Sequence, residues 1–136
     1  MGEYVEMNEC VLTLENIVQC FHAAGFKAIL EEPETGCAYI HSSSSGLTFL
    51  FIISTEVGVP FRGQFLCFPG QKVTLELANK VNKDGMIVSV GVDDDGEATI
   101  YWDVIIHHTS RQQLISSIET WDKWFGDAVM QLKMGQ

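Results

Sequence analysis

Apolar and polar residues alternate along two neighbouring stretches in the second half of the chain. Val88, Val90 and Val92 alternate with Ser89 and Gly91, and Ile100, Trp102 and Val104 alternate with Tyr101 and Asp103. That two-residue period is the pattern of a half-buried strand. Asp94-Asp95-Gly96-Glu97 between them has hairpin-turn chemistry, because glycine supplies the positive φ that tight turns need. Just upstream, Leu75, Ala78 and Val81 recur at helical spacing and point inward, with Thr74 as N-cap and Lys83-Asp84-Gly85 as the exit. Residues 75–104 therefore predict a helix, a turn and two strands folded back on each other, and the rest of the chain can be placed around this unit.

Near the start, Leu14, Ile17, Val18, Phe21 and Ala24 fall on one helix face behind the N-cap Thr13, with Glu15 favourably placed against the helix dipole. Gly25 takes the left-handed position that ends this helix, and Phe26 folds back on Phe21, as a Schellman motif prefers. Strands are expected over 27–32, 37–42 and 47–54, separated by turns at Pro33-Glu34-Thr35-Gly36 and Ser43-Ser44-Ser45-Gly46. A longer connection, Thr55 to Pro60, leads to a fourth strand over 61–68, which Pro69-Gly70 closes.

The last element is a long helix over 110–133. Ser110 and Gln113 have capping-box spacing. Leu114, Ile118, Trp121, Phe125, Ala128 and Leu132 step by threes and fours, and Ile115, Trp124 and Val129 widen that stripe to about half the circumference. Gly126 inside the helix costs about 1 kcal/mol against alanine, which points to a close packing contact. Residues 1–11, with Glu3, Glu6 and Glu9, are expected as a frayed lead-in. The order is α-β(3-4)-α-β(2)-α. Because hairpins dominate, the expected fold is α+β: two layers, a mainly antiparallel sheet with helices on one face.

Length and charge narrow the class. A chain of 136 residues suits a single domain spanning 1–136, long enough to bury about two-thirds of its unfolded surface. The longest apolar run, Leu47 to Ile53 around Thr48, is far short of the ~20 residues of a membrane span. The acidic opening MGEYVEMNEC lacks the form of a secretory signal, so a cytoplasmic protein with no membrane partner is expected. Net charge is −10, from 18 acidic and 8 basic residues, and the basic ones form no cluster. That field repels phosphate backbones and argues against nucleic acid.

The candidate chemistry is thin. Aligning Gly96 with the invariant glycine of a calcium loop puts Gly91 and Trp102 where ligands belong, so Asp93-Asp94-Asp95 reads as a turn. His107 and His108 are adjacent, and on an extended chain their rings point to opposite sides, while His22 and His41 sit on other elements. Cys10, Cys20, Cys37 and Cys67 stand singly without C-x-x-C spacing, as small buried hydrophobes do in a reducing compartment. A nucleophile built from Cys37 or Cys67 with His41 is weaker than that reading, and the serines of 42–45 lack the flanks of a nucleophile elbow or phosphate loop. Asn79 and Asn82 share a helix face, where polar recognition of a partner backbone is weaker than a structural reading in which Asn82 caps the helix end and Asn79 bonds to the adjacent loop. No catalytic residue, metal or cofactor is expected.

One resemblance covers nearly the whole chain, from about Leu12 to Val129. The Leu-x-x-x-Asn-x-x-Asn helix (Leu75, Asn79, Asn82), a strand, the acidic turn Asp93–Gly96, a second strand and a tryptophan-rich terminal helix resemble the YbjN-like proteins. Leu14, Phe21, Ala24, Gly25 and Phe26 resemble that family's first helix and its exit, whereas Ala78 stands where the family often has tryptophan. The resemblance implies a fold similar to type III secretion chaperones, small acidic α+β proteins that often dimerise and hold partner segments. The family's label as a sensory-transduction regulator implies little chemistry.

Strand alternation adds an interface. If Leu47, Phe49, Phe51 and Ile53 face the helices, then Leu50 and Ile52 face away, and the same rule leaves Ile87, Tyr101 and Ile105 outside. Leu66 and Phe68 join them in one register of their strand, and Trp124 sits at the edge of the helical stripe. An apolar outer sheet face marks an interface. The expected function is a non-catalytic protein-binding module, chaperone-like or regulatory, that forms a homodimer or holds a protein partner there. The rival is an enzyme or small-molecule sensor with a pocket between sheet and helices.

Overall fold

The structure, a computed structural model, describes residues 11–34 and 36–135. Three helices, α1 (Leu14–Ala23), α2 (Leu75–Lys83) and α3 (Arg111–Met134), accompany six strands. These are β1 (Ile29–Glu34), β2 (Cys37–Ser44), β3 (Leu47–Glu56), β4 (Val59–Cys67), β5 (Ser89–Val92) and β6 (Ala98–Ile105). They form one antiparallel sheet in the order β1-β2-β3-β4-β6-β5, the α+β order that the pattern predicts with four strands in its first group. The β5–β6 hairpin lies at one end of that sheet, and β3 and β4 occupy its middle.

The helix caps follow from side-chain chemistry. Thr13 and Asn16 form a reciprocal capping box on α1, Ser110 and Gln113 another on α3, and the Thr74 hydroxyl accepts the Leu77 N–H on α2. Gly25 (φ 90°) and Gly96 (φ 80°) hold the left-handed positions expected of them. The Phe26 N–H donates to the Phe21 carbonyl at 2.9 Å, while the Phe26 ring stands edge-on to Phe49 rather than on Phe21. The expected lead-in lies outside the described residues except for Val11, which is exposed; Leu12, just after it, is already buried.

The core is the side of the sheet that faces the helices. Register puts Ile40, Phe51, Phe65 and Trp102 in one row across β2, β3, β4 and β6, with Ala38, Ile53, Gly63 and Val104 in the next. Trp121 of α3 lies nearly parallel to both Phe65 and Phe125, with ring centroids 5.2 and 4.8 Å away. Gly63 makes room for this packing, because a Cβ there would overlap the Phe51 ring.

Several local expectations change. The connection between β3 and β4 is no long loop: Glu56 pairs with Val59, and the turn is Val57-Gly58, with φ of 51° and 76°. A fully exposed β-branched residue at positive φ gives no turn signal, and this one hid the hairpin. The Ser45-Gly46 turn is equally tight, with both residues left-handed, so β2 continues to Ser44. β1 continues through Pro33, tolerated on an edge strand where the register shifts between Glu31 and Glu34. Leu75 is 66% exposed rather than inward, and the half-buried Leu77 packs against the core beside Ala78 and Val81. Gly126 makes no close contact, since a Cβ there would meet nothing within 4 Å.

Candidate protein-binding face

The side chains that alternate with the core set form the opposite face of the sheet. Pairing aligns Ile29, His41, Leu50, Leu66, Tyr101 and Ser89 in one row that crosses all six strands. Beside it runs Glu31, Tyr39, Ile52, Gln64 and Asp103, and beyond that Cys37, Ser54, Arg62 and Ile105. None of these side chains is buried. Leu50, Ile52 and Tyr101 therefore stand together, with Leu66 joining them, and Ile105 is 64% exposed at the end of β6. Phe68 is exposed just beyond β4, and Ile87 just before β5.

Trp124 is elsewhere. It is half-buried in the helical layer against the core, with the Lys123 ammonium 5.6 Å from its ring centroid. Sequence reasoning missed Ile29 and Tyr39. Alternation marks both once β1 and β2 have a register, but their short strands did not supply one.

The polar groups on this face are largely spent on each other. His41 Nε2 and Glu31 Oε2 are 2.8 Å apart, and Gln64 Nε2 donates to Asp103 Oδ1 at 2.9 Å. Among the described side chains of these rows and beside them, Lys27 and Arg62 balance Glu31 and Asp103, in a chain whose net charge is −10. A concavity of about 490 Å³ crosses it near β1, lined by Lys27, His41, Leu50 and Leu66 among others.

The remaining candidates do not converge on a reaction. Burial pushes the Cys67 thiol up to about 11, and its Sγ donates to the Thr48 carbonyl at 3.6 Å. Burial also raises Cys20, opposed by the positive charge of Arg111. His41 is on the open face and Cys67 on the core face, while Cys37 and His41 are four residues apart on one strand, about 13 Å. Cys10 lies outside the described residues. Asp93 organises the acidic turn, a role the sequence pattern did not assign to it: its Oδ1 accepts the N–H groups of Asp95 and Glu97, both at 2.9 Å.

The His107 and His108 rings do not diverge as expected; their centroids are 3.8 Å apart, because His108 turns the chain with φ 64°. Among the described residues no group of three or more His, Cys, Asp or Glu is placed to hold a metal ion. A groove of about 600 Å³ between β6 and α3 contains His108, Asp103, Thr109, Gln113 and Ser117. Three of its polar side chains are engaged locally: Thr109 Oγ1 donates to Ile105 O, Ser117 Oγ to Gln113 O, and Gln113 caps α3.

Comparison with known families decides the relationship. Residues 13–125 match the family YbjN, described as "Putative bacterial sensory transduction regulator". The chain belongs to the YbjN family. The match begins at the N-cap of α1 and ends inside α3, so it takes in all six strands and the whole open face. A family described as a regulator accords with a non-catalytic regulatory module. No curated protein and no solved structure matches the chain. Among the described residues no helix is long and apolar enough to cross a membrane.

Proposed function

We propose that this YbjN-family protein is a non-catalytic regulator that acts by binding protein through the open face of its sheet, with a second copy of itself as the first partner. One observation carries the reading: Ile29, Leu50, Leu66 and Tyr101 run across a face on which, among the described residues, none of them is buried, with Tyr39 and Ile52 beside them. The outer face of a two-layer fold is ordinarily polar, and an apolar patch there is the usual mark of an interface.

Electrostatics favours a second copy. Two chains of net charge −10 repel each other, and a face whose charges balance is where they can meet with the least penalty. The family resemblance read from the sequence implies a fold similar to type III secretion chaperones, which often dimerise and hold partner segments, and that implication points the same way. The reading fits a single cytoplasmic domain, whose acidic balance disfavours nucleic acid. An enzymatic or sensor role in the β6–α3 groove has less support, because Thr109, Gln113 and Ser117 in it are engaged locally.

Sedimentation velocity over a concentration series tests the proposal. The expected result is a monomer–dimer shift that Ile52→Lys and Ile105→Lys each abolish without lowering the thermal midpoint. A monomer at tens of micromolar, with both variants soluble and as stable as the parent, would remove the support for it.

A further inference from the structure

We propose that the concavity on the open face binds an amphipathic anion, a single aliphatic chain ending in a carboxylate. Its volume of about 490 Å³ falls in the range of small-molecule sites, roughly 300–1,000 Å³. Register defines its shape. Ile29 lies opposite His41, His41 opposite Leu50, and Leu50 opposite Leu66, so the trough crosses three strand spacings, about 14 Å. Lys27 and His41 stand at its β1–β2 end, while Leu50, Leu66 and Phe68 supply apolar walls toward β4.

The sign of charge selects the ligand. One cation, Lys27, lines the trough beside the His41 imidazole and no carboxylate does, in a chain with 18 acidic and 8 basic residues. Glu31, which bonds His41, is not among the lining residues, and Lys27 makes no ion pair among the described residues. A carboxylate near Lys27 therefore leaves its chain along Leu50 and Leu66, where each buried CH₂ tightens binding about fourfold. Roughly eight to ten carbons fill that length. The overall negative field is screened within about 8 Å at physiological salt, so it does not reach the head group from distant surfaces.

The trough lies inside the docking face proposed above. If that reading holds, ligand and second copy exclude each other, and a soluble carboxylate controls association.

Amide NMR titration tests the binding with sodium decanoate, hexanoate, decanol and decylamine as probes. Using the Ile105→Lys chain, altered outside the trough, keeps self-association from entering the result. Decanoate should give saturable shifts at Lys27 to Ile29, Leu50 and Leu66 to Phe68, with hexanoate more than tenfold weaker. Lys27→Gln should weaken decanoate more than decanol, and Leu66→Asp should abolish binding while the far-ultraviolet spectrum stays unchanged. Non-saturable shifts, shifts confined to the helices, or equal affinity for decanoate, decanol and decylamine would overturn the proposal. On the unaltered chain, decanoate should move sedimentation toward the monomer. Saturable binding to a dimer that decanoate leaves intact would uphold the ligand site and overturn the docking reading instead.

Discussion

Asn82, in the last turn of α2, holds both main-chain groups of Val90 on the edge strand β5. Its Nδ2 donates to the Val90 carbonyl at 2.9 Å, and its Oδ1 accepts the Val90 N–H at 2.8 Å. The carboxamide thus stands where a neighbouring strand would pair, and it blocks that position to other chains. This differs from a helix cap, the role the spacing of Asn79 and Asn82 had suggested. It gives the second asparagine of the family-like helix a structural task.

Asn82→Ala should therefore lower stability by about 1–3 kcal/mol, since two hydrogen bonds are lost and an edge N–H is left without its partner. Asn82→Asp should also destabilise, because it keeps the acceptor for the Val90 N–H but sets carboxylate oxygen against the Val90 carbonyl. Urea midpoints measure both, and faster hydrogen exchange at Val90 would locate the effect. An Asn82→Ala chain with parental stability and exchange would show that the pair contributes nothing.

Two glycines without left-handed φ should respond oppositely to alanine. At Gly63 a Cβ would overlap the Phe51 ring, which is fully buried and cannot move aside without disturbing the aromatic stack. Gly63→Ala should cost roughly 1–3 kcal/mol as an overpacked core does. At Gly126 the added methyl meets nothing, so the helix should gain about 1 kcal/mol. Thermal midpoints moving in opposite directions are the expected outcome, and a destabilised Gly126→Ala would mean that the helix has an unseen neighbour there.

These residues show how far periodicity carries. The stripe on α3, the capping pairs and the inward rows of β3 and β6 are legible because a repeating pattern encodes them over many residues. Val57-Gly58 was not, because its turn depends on the backbone angle of one residue. The open face was partly legible: Leu50, Ile52, Tyr101 and Ile105 follow from alternation, but Ile29 and Tyr39 join them only through strand pairing. Trp124 stands at the edge of the helical stripe as the spacing places it, half-buried where Trp121 and Phe125 are fully buried, but on the helical layer and away from the open face. Asp93 and His108 act through local chain reversal, which no spacing rule records.

Cys67 should make stability fall at alkaline pH. Its thiol is held neutral in the fold up to about 11, while in the unfolded chain it ionises near its ordinary value of 9.0. The raised native value means that its contribution is fully present below about 9 and is lost as pH rises through 11, on the order of 2 kcal/mol in total. Cys20, also raised, acts in the same direction. The measurement is the difference in slope between the parent and Cys67→Ala, which cancels what every other group contributes. Parallel stability curves from pH 8 to 11 would show that the thiol ionises without resistance.

The turn at Val57 offers the last test. Its φ of 51° is a conformation that β-branched residues resist, and its side chain is 99% exposed, so burial returns nothing for the strain. Asn tolerates that region and suits the first position of a tight hairpin turn, where Gly58 already supplies the second. Val57→Asn should therefore raise stability by about 1 kcal/mol. Gly96→Val makes the reverse change at φ 80° and should cost more than about 1 kcal/mol. Both variants leave the core and the open-face rows untouched, so chemical denaturation should report a change in midpoint with the same denaturant dependence. If Val57→Asn matches the parent while Gly96→Val is destabilised, the β3–β4 turn is not the two-residue hairpin described above, and Val57 occupies an ordinary extended conformation.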